Sequence, residues 1–272
     1  MLFLSVLWTE ATEETKGRDS NRLELGCVGM LLEEIEGLLM GSLPMVISLC
    51  GAGGKTSALF DLAAALKQRD QHSRIVVLTT TRMMVEKSPR IDHFISADTL
   101  TQIGILNPGI TMVARGMDEQ GKIYGFEPED IDRWTEDPVF GQHPSFLLVE
   151  ADGANKKPLK APREGEPRFP GKTRVVLGVL GADVFDLPAV ETRIHRLALF
   201  LELTGMKEGD VVTPEALTVL IHSENGLFKS CPPEALKIIM VNKAEPRHEA
   251  FIQKLKSHTN LPVIIVERGR WV

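Results

Sequence analysis

Residues 46–57 read VISLCGAGGKTS, an apolar run followed by a glycine-rich turn and the start of a helical pattern. The short apolar run at 46–50 predicts a buried strand, and the periodicity of residues 56–69 predicts an amphipathic helix. The glycines between them predict a phosphate-binding loop, because glycine allows successive backbone N–H groups to point at phosphate oxygens. The start of the following helix adds further N–H donors and a favourable dipole.

This loop predicts a bound nucleoside triphosphate, ATP or GTP, together with Mg²⁺. Lys55 is expected to neutralise the terminal phosphates and the Thr56 hydroxyl to ligate the metal. Leu49 occupies the first glycine position of the usual GxxxxGK[ST] pattern, so the loop has a shorter form that is similar to the GTxGKT loop of Mur ligases. The predicted phosphate contacts are Gly51, Gly53, Gly54, Lys55, Thr56 and Ser57.

A strand predicted at 146–150 leads into two carboxylates, Glu150 and Asp152. An acidic residue at a strand tip beside a phosphate loop holds Mg²⁺ in P-loop NTPases. Side chains two residues apart in an extended strand point the same way, so both carboxylates can face one metal. The predicted metal ligands are Thr56, Glu150 and Asp152, and the candidate catalytic residues are Lys55, Glu150 and Asp152. The alternative is a solvated Asp-Gly turn.

The rest of the chain alternates between apolar runs and helical patterns. Further strands are predicted at 74–79, 110–114, 174–179, 236–241 and 263–266, and further helices at 191–204, 213–221 and 247–256. Continuous apolar strands separated by helices are typical of a parallel sheet covered on both faces. The predicted fold class is therefore α/β, a three-layer P-loop NTPase-like domain with a mostly parallel sheet and right-handed crossovers.

Three polar clusters are candidate contacts for an anion or a substrate. One ends the strand at 74–79, where open parallel sheets bind ligands. A second follows the acidic strand end, and the third is a His-Arg pair. In the same order, their members are Thr80, Thr81 and Arg82; Lys157 and Lys160; and His195 and Arg196. The respective alternatives are ordinary strand-end threonines, solvated surface charge and a half-buried structural pair.

Residues 242–245 read NKAE after an apolar strand, which resembles the NKxD element with which GTPases read guanine. Asn242, Lys243 and Glu245 are therefore the candidate base-binding residues. Glu245 stands where that element has aspartate, so the carboxylate acceptor is kept on a side chain one methylene longer.

Composition bounds the protein class. The 272 residues carry a formal net charge of −6, which argues against broad nucleic-acid binding. The three cysteines have no CxxC spacing, and no apolar run approaches the roughly 20 residues of a membrane span. We therefore expect a cytoplasmic protein with neither a membrane nor a nucleic-acid partner. Residues 1–29 are interpreted as a poorly ordered or loosely attached extension, followed by a helix at 30–40. Residues 30–272 are interpreted as the nucleotide-binding domain.

Eight short motifs occur together in a fixed order: GAGGKTS at 51–57, LTTTR at 78–82, VEADGA at 149–154, KPLKAP at 157–162, IHR at 194–196, GDVVTPE at 209–215, GLFK at 226–229 and VNKAE at 241–245. This combination resembles the YqeC family, whose members are described as accessory proteins for selenium-dependent molybdenum hydroxylases. The resemblance implies a role in maturing the molybdenum cofactor or its selenium-containing form. It also implies a molybdenum hydroxylase, or its cofactor-maturation proteins, as partners.

The sequence thus predicts a Mg²⁺-dependent nucleotide-binding accessory protein that hydrolyses a nucleoside triphosphate or transfers a phosphoryl or nucleotidyl group. One alternative is a nucleotide-gated chaperone without turnover, in which bound nucleotide orders the segments 79–82 and 154–162. A second alternative, suggested by the Mur-like loop, is an ATP-dependent ligase.

Overall fold

A computed structural model of the chain describes residues 44–84, 90–137 and 144–268. The strands are β1 (Met45–Gly51), β2 (Arg74–Thr79), β3 (Arg82–Met84), β4 (His93–Ser96), β5 (Gly109–Ala114), β6 (Gly116–Met117), β7 (Lys122–Tyr124), β8 (Phe146–Glu150), β9 (Leu159–Lys160), β10 (Thr173–Gly181), β11 (Ile194–His195), β12 (Leu236–Ala244) and β13 (Val263–Glu267). The helices are α1 (Lys55–Arg69), α2 (Pro128–Glu136), α3 (Leu197–Thr204), α4 (Pro214–His222) and α5 (Glu249–Ser257).

The centre of the fold is an eight-stranded sheet in the order β13-β12-β10-β1-β8-β2-β5-β4, and every pairing in it is parallel. Its central strands are mainly apolar because both faces are covered: β1, β5, β8 and most of β10 are buried. The predicted three-layer α/β fold with a mostly parallel sheet is confirmed.

Alternate side chains of each strand enter different layers. On one face of β1, Ile47 and Leu49 belong to the core that α1 covers with Leu59 and Leu62. On the other face, Cys50 belongs to the core formed with α3, α4 and α5. Helix α2 packs on that second face, against β2 and β8.

Crossover connections that run in opposite directions along the sheet lie on opposite faces of it. The connection from β1 to β2 runs toward β4 and places α1 on one face. The connections from β8 to β10, from β10 to β12 and from β12 to β13 run the other way and lie on the opposite face. A single hand of crossover requires this arrangement. The chain therefore leaves β1 in one direction and returns on its other side, which makes the carboxyl end of β1 the switch point where open sheets bind ligands.

One predicted helix is wrong in its first half. The expected helix at 191–204 begins only at Leu197, because Ile194 and His195 pair with Leu159 and Lys160 as a two-stranded ladder. Arg196 then adopts a left-handed backbone, with φ of 61°, before the helix starts. The apolar spacing reads equally well for this strand and for a helix turn, so the pattern concealed the pairing.

Several short elements were not predicted from the sequence. Strands β3, β7 and β6 form a small antiparallel sheet beyond the end of β2, and β4 lies at the edge of the main sheet. The extension predicted at 1–29 and the helix predicted at 30–40 lie outside the described residues. Within the described ranges, no helix combines the length and the apolar character needed to cross a bilayer.

Candidate functional site

The glycine turn sits at the carboxyl end of β1 and leads directly into α1. Gly51, Gly53 and Gly54 all have positive φ, at 93°, 87° and 113°. At Gly53 the constraint is also steric, since a Cβ there would lie 2.3 Å from the Cα of Gly181 at the end of β10. The loop therefore needs glycine both for its backbone conformation and for its close approach to the neighbouring strand.

The first three N–H groups of the turn are used within the protein. Gly51 donates to Asp152 Oδ2 at 3.1 Å. The N–H of Ala52 donates to the carbonyl of Val179 at 2.9 Å, and that of Gly53 to the carbonyl of Lys157 at 3.1 Å. These bonds fix the turn between β8 and β10, so Gly51 and Gly53 shape the loop in this conformation rather than directing their N–H groups into its cradle.

The next four N–H groups lie at the start of α1. The first helical bond of α1 runs from the Ala58 N–H to the Gly54 carbonyl at 3.0 Å. The N–H groups of residues 54–57 precede that bond, and they are the donors that an α-helix leaves without intrahelical acceptors. This end of α1 therefore has the donors and the dipole that suit an anion.

Lys55 is buried beneath this helix end, with its ammonium between a backbone oxygen and two carboxylates. Its Nζ donates to the Gly51 carbonyl at 2.8 Å and lies 3.2 Å from Asp152 Oδ1 and 4.0 Å from Glu150 Oε1. Burial lowers the pKa of Lys55, but the charges of Asp152 and Glu150 outweigh burial and raise the pKa overall. Lys55 is therefore charged at neutral pH.

Thr56 and Glu150 face each other across the same site. The Thr56 hydroxyl donates to Glu150 Oε2 at 2.8 Å. Burial raises the pKa of Glu150, while Lys55 and the Thr56 hydrogen bond act against the rise without cancelling it. A hydroxyl and a carboxylate side by side supply the hard oxygen donors that Mg²⁺ prefers.

Asp152 is buried at 1% exposure, and its two oxygens have different surroundings. Oδ2 accepts from the Gly51 N–H and lies 2.9 Å from the Nζ of Lys160. Oδ1 faces Lys55 and accepts no hydrogen bond from the described residues. Buried polar atoms usually have a partner, so Oδ1 has remaining capacity for a cation or a water.

Beyond Asp152, cationic and anionic side chains continue to alternate. Lys160 Nζ donates to Glu166 Oε2 at 2.9 Å, and the Arg196 guanidinium donates a bidentate pair of hydrogen bonds to the Glu166 carboxylate, at 2.8 and 2.9 Å. Burial raises the pKa of Glu166, but the Arg196 hydrogen bonds and Lys160 lower it to about 2. Arg196 also donates to the carbonyl of Ala161. Through these ion pairs and the contact of Lys160 with Asp152, β9 and β11 are linked to the glycine turn after β1.

The surroundings of two predicted substrate contacts argue against that role. Lys160 Nζ donates to Glu166 and to the carbonyl of Gly153 and forms an ion pair with Asp152 at 2.9 Å, so protein groups surround its ammonium. Arg196 is committed to Glu166 in the same way. In this structure both residues are paired with protein groups, and their assignment as substrate contacts stays a prediction.

Lys157 and His195 lie at the margin of this region. Lys157 Nζ contacts Glu191 at 2.6 Å and the carbonyl of Ile194 at 3.2 Å, which directs it toward the turn before β11. Burial, followed by the nearby Arg196, lowers the pKa of His195. The His195 imidazole is therefore mainly neutral at pH 7 and is poorly suited to bind an anion by charge.

The threonines after β2 hold strand ends together. The Thr80 N–H donates to the Glu150 carbonyl at 3.1 Å, and its hydroxyl donates to the carbonyl of Arg168 at 2.8 Å. The Thr81 N–H donates to the Thr79 hydroxyl. Arg82 is exposed and lies over the Tyr124 ring, 4.8 Å from its centroid. These residues border Glu150, and their hydrogen bonds and ring contact are made with protein groups.

The candidate base-binding residues meet the loop from β12. Asn242 Nδ2 donates to the carbonyl of Gly53 at 2.9 Å. Lys243 has a positive φ of 60° and sits at a bulge in β12, and its Nζ contacts Asp183 at 2.9 Å. Glu245 accepts from Arg268 Nε at 2.7 Å. The element is thus fastened to the loop, and its two charged members are paired.

Three important residues had no recognisable signal in the sequence. Glu166 lies in a Pro-rich segment where a buried glutamate is not expected. Asp183 follows β10 and pairs with Lys243 and Arg268. Gly181 is required by its contact with Gly53, which only the three-dimensional fold reveals.

The described residues contain no group of three or more His, Cys, Asp or Glu side chains that could hold a metal. Mg²⁺ bound through one or two carboxylates and substrate phosphates does not need such a group. Thr56, Glu150 and the free oxygen of Asp152 fit that kind of site.

Comparison with known proteins identifies the family. The family model of the YqeC protein matches residues 47–198, which include the loop, the acidic pair, Lys160 and Arg196. A protein of Escherichia coli strain K12, described as "Uncharacterized protein YqeC", is 31% identical over 211 residues, covering 77% of this chain and 80% of the relative. The chain belongs to the YqeC family. The resemblance read from the motifs is thereby confirmed. No solved structure gives a significant match to this YqeC chain.

Proposed function

We propose that this YqeC protein binds a nucleoside triphosphate with Mg²⁺ at the end of β1 and hydrolyses it. The observation that carries the proposal is the Thr56 hydroxyl, 2.8 Å from Glu150 Oε2 and beside the buried ammonium of Lys55. A hydroxyl, a carboxylate and a lysine at the start of a helix after a glycine turn are the groups that P-loop NTPases use.

Each residue has a definite task in this proposal. The N–H groups at the start of α1 donate to phosphate oxygens, and the ammonium of Lys55 moves from its ion pair with Asp152 toward the terminal phosphates. Thr56 and Glu150 would hold the metal, with Asp152 Oδ1 as a further oxygen donor. Mg²⁺, when bound, neutralises developing charge on the phosphate oxygens. The protein therefore contributes positioning and electrostatic stabilisation.

The biological role is inferred from the family. Because the chain is a YqeC protein, we place the nucleotide-dependent step in the maturation of a selenium-dependent molybdenum hydroxylase or of its cofactor. The partners in this proposal are the hydroxylase or its cofactor-maturation proteins. Asn242, Lys243 and Glu245 remain the proposed base-binding group, with a base displacing part of their ion pairing.

A second candidate is a nucleotide-gated chaperone, and one feature favours it. The segment after Asp152 is hydrogen-bonded to the loop, since the carbonyl of Lys157 accepts from Gly53 and that of Pro158 accepts from Gly181 at 2.9 Å. A phosphate that shifts the loop must therefore act on this segment. The gated protein would bind nucleotide with changed hydrogen exchange at 153–162 and without turnover until its client is added.

A thermal-shift screen tests nucleotide binding. ATP, GTP and CTP are each added with Mg²⁺ or with EDTA to the wild type, to Lys55→Ala and to Lys254→Ala. The last is a matched control, because Lys254 is an exposed lysine of α5 that forms a surface ion pair with Glu215. A Mg²⁺-dependent shift in the wild type and the control but not in Lys55→Ala is expected. Equal shifts in all three proteins would remove the basis of the proposal.

A further inference from the structure

The charges around Asp152 are buried and alternate in sign. Three carboxylates and three cations alternate from Glu150 through Lys55, Asp152, Lys160 and Glu166 to Arg196. The site as proposed uses only the first half of this series. Charges that are so deeply buried are costly to desolvate, so the second half needs an explanation.

The two lysines beside Asp152 are not equivalent. Lys160 lies against Oδ2, at 2.9 Å, and its other N–H donors go to Gly153 and Glu166. Lys55 lies against Oδ1, and Nζ makes one other close contact, with the carbonyl of Gly51. An ammonium has three N–H donors. Lys55 uses one of them in a hydrogen bond, to the Gly51 carbonyl, and so has donors to direct elsewhere, whereas Lys160 uses two and is also ion-paired with Asp152.

Binding a polyphosphate requires Lys55 to weaken its contact with Asp152. If Lys55 were the only cation beside Asp152, that movement would leave an uncompensated carboxylate at 1% exposure. Removing one partner of a buried ion pair is strongly unfavourable for this reason. A second cation that stays in place removes the obstacle.

We propose that Lys160 is this second cation: a positioning residue that holds the charge of Asp152 while Lys55 transfers to the phosphate. The inference rests on the proposed phosphate loop and adds a residue that never touches the substrate. Its bonds to Gly153 and Glu166 keep the ammonium beside Asp152 whatever Lys55 does.

The proposal predicts a particular non-additivity. Without Lys160, Asp152 retains Lys55 and polyphosphate binds less well. If residue 152 is uncharged, there is no charge to hold, and removing Lys160 has little effect. If Lys160 instead attracted the phosphate directly by its charge, or if its removal disturbed the structure, removing it would weaken binding equally in both backgrounds.

The experiment is a double-mutant cycle measured by calorimetric titration of the full chain with inorganic tripolyphosphate in EDTA, which removes any role of Asp152 as a metal ligand. Lys160→Met should weaken binding about tenfold in the wild-type background, the size of a typical coupling between sites. In the Asp152→Asn background the same change should alter affinity by less than about twofold, within the error of additive sites. Lys160→Arg should bind as the wild type does.

The outcomes are distinguishable. If the wild type binds neither tripolyphosphate nor a Mg²⁺-nucleotide, the phosphate loop itself is refuted, and this inference with it. If it binds only the Mg²⁺-nucleotide, this inference alone is refuted, because Lys55 then does not transfer to phosphate without the metal. If the wild type binds, Lys55→Ala does not, and Lys160→Met weakens both backgrounds equally, only the role of Lys160 is refuted. Should Lys160→Met fail to fold alone, Asp152→Asn and Asp152→Asn/Lys160→Met still form a test. A tenfold difference between those two would overturn the proposal.

Discussion

At the residue scale, the loop residues divide into those that shape the site and those that face it. Gly51 and Gly53 use their N–H groups inside the protein, whereas Lys55 and Thr56 present their side chains to the acidic end of β8. The sequence motif predicted all four as phosphate contacts, because the motif records which residues occur together and not which hydrogen bonds they make.

A substitution of Thr56 tests Mg²⁺ binding separately from phosphate binding. Thr56→Val keeps the shape of the side chain but removes the hydroxyl that donates to Glu150. We expect nucleotide affinity in Mg²⁺ to fall about tenfold, the value of a hydrogen bond to a charged group. Affinity in EDTA should change little, and Thr56→Ser should retain the Mg²⁺ dependence. Calorimetric titration with and without the metal gives both values, and an equal loss in EDTA would show that Thr56 does not act through Mg²⁺.

Substitution of Gly53 tests how closely the loop packs against β10. Gly53→Ala combines the strain of a positive φ with a Cβ placed 2.3 Å from Gly181, whereas Gly165→Ala has a positive φ of 72° and nothing within 4 Å. Gly165→Ala should cost about 1 kcal/mol and Gly53→Ala clearly more, about 3 kcal/mol or above. Urea unfolding of both variants measures the difference. Equal losses would mean that the contact with Gly181 is not a tight one.

At the element scale, strands were easier to predict than the segments between them. Buried parallel strands are apolar along their whole length, so β1, β2, β5, β8, β10, β12 and β13 stand out from the sequence. Strands β9 and β11 have two residues each and carry Lys160 and His195, so they show no apolar run. Their pairing is supported by salt bridges of Glu166 with Lys160 in β9 and with Arg196, directly after β11. No local sequence pattern encodes these salt bridges.

Glu166 makes the stability of this element pH-dependent. Its pKa of about 2 in the folded protein lies below the ordinary value of 4.5, so its contribution is fully present above pH 4.5 and is lost as the pH falls toward 2. The shift corresponds to at most about 3 kcal/mol. Glu166→Gln should therefore lower the free energy of unfolding strongly at pH 7 and much less at pH 3, as measured by urea unfolding.

A matched control for this variant is Glu136→Gln, since Glu136 pairs with Lys172 on the surface, where both side chains are more than half exposed. Surface pairs contribute little, so its effect should be small at both pH values. If Glu166→Gln lost as much stability at pH 3 as at pH 7, ionised Glu166 could not be the source of the difference.

At the scale of the whole molecule, the fold follows from sequence pattern and general rules, but the candidate site follows only partly. Alternating apolar strands and helices predict a covered parallel sheet, and the hand of the crossovers then fixes which face each helix takes. That topology brings the ends of β1, β8, β10 and β12 together around the loop. The charge partners of the site come from segments with no periodicity, so Glu166 and Asp183 become visible only in three dimensions.

The central claim for this YqeC protein is that the loop after β1 binds a nucleotide through Lys55. The most direct test is calorimetric titration of the Mg²⁺-nucleotide that gives the largest thermal shift into the wild type, Lys55→Ala and the control Lys254→Ala. We predict one binding site in the wild type and the control, and a loss of about thirtyfold or more in Lys55→Ala, as expected when a charged hydrogen bond is removed. Equal affinity in all three proteins, or no binding by the wild type, would contradict the claim.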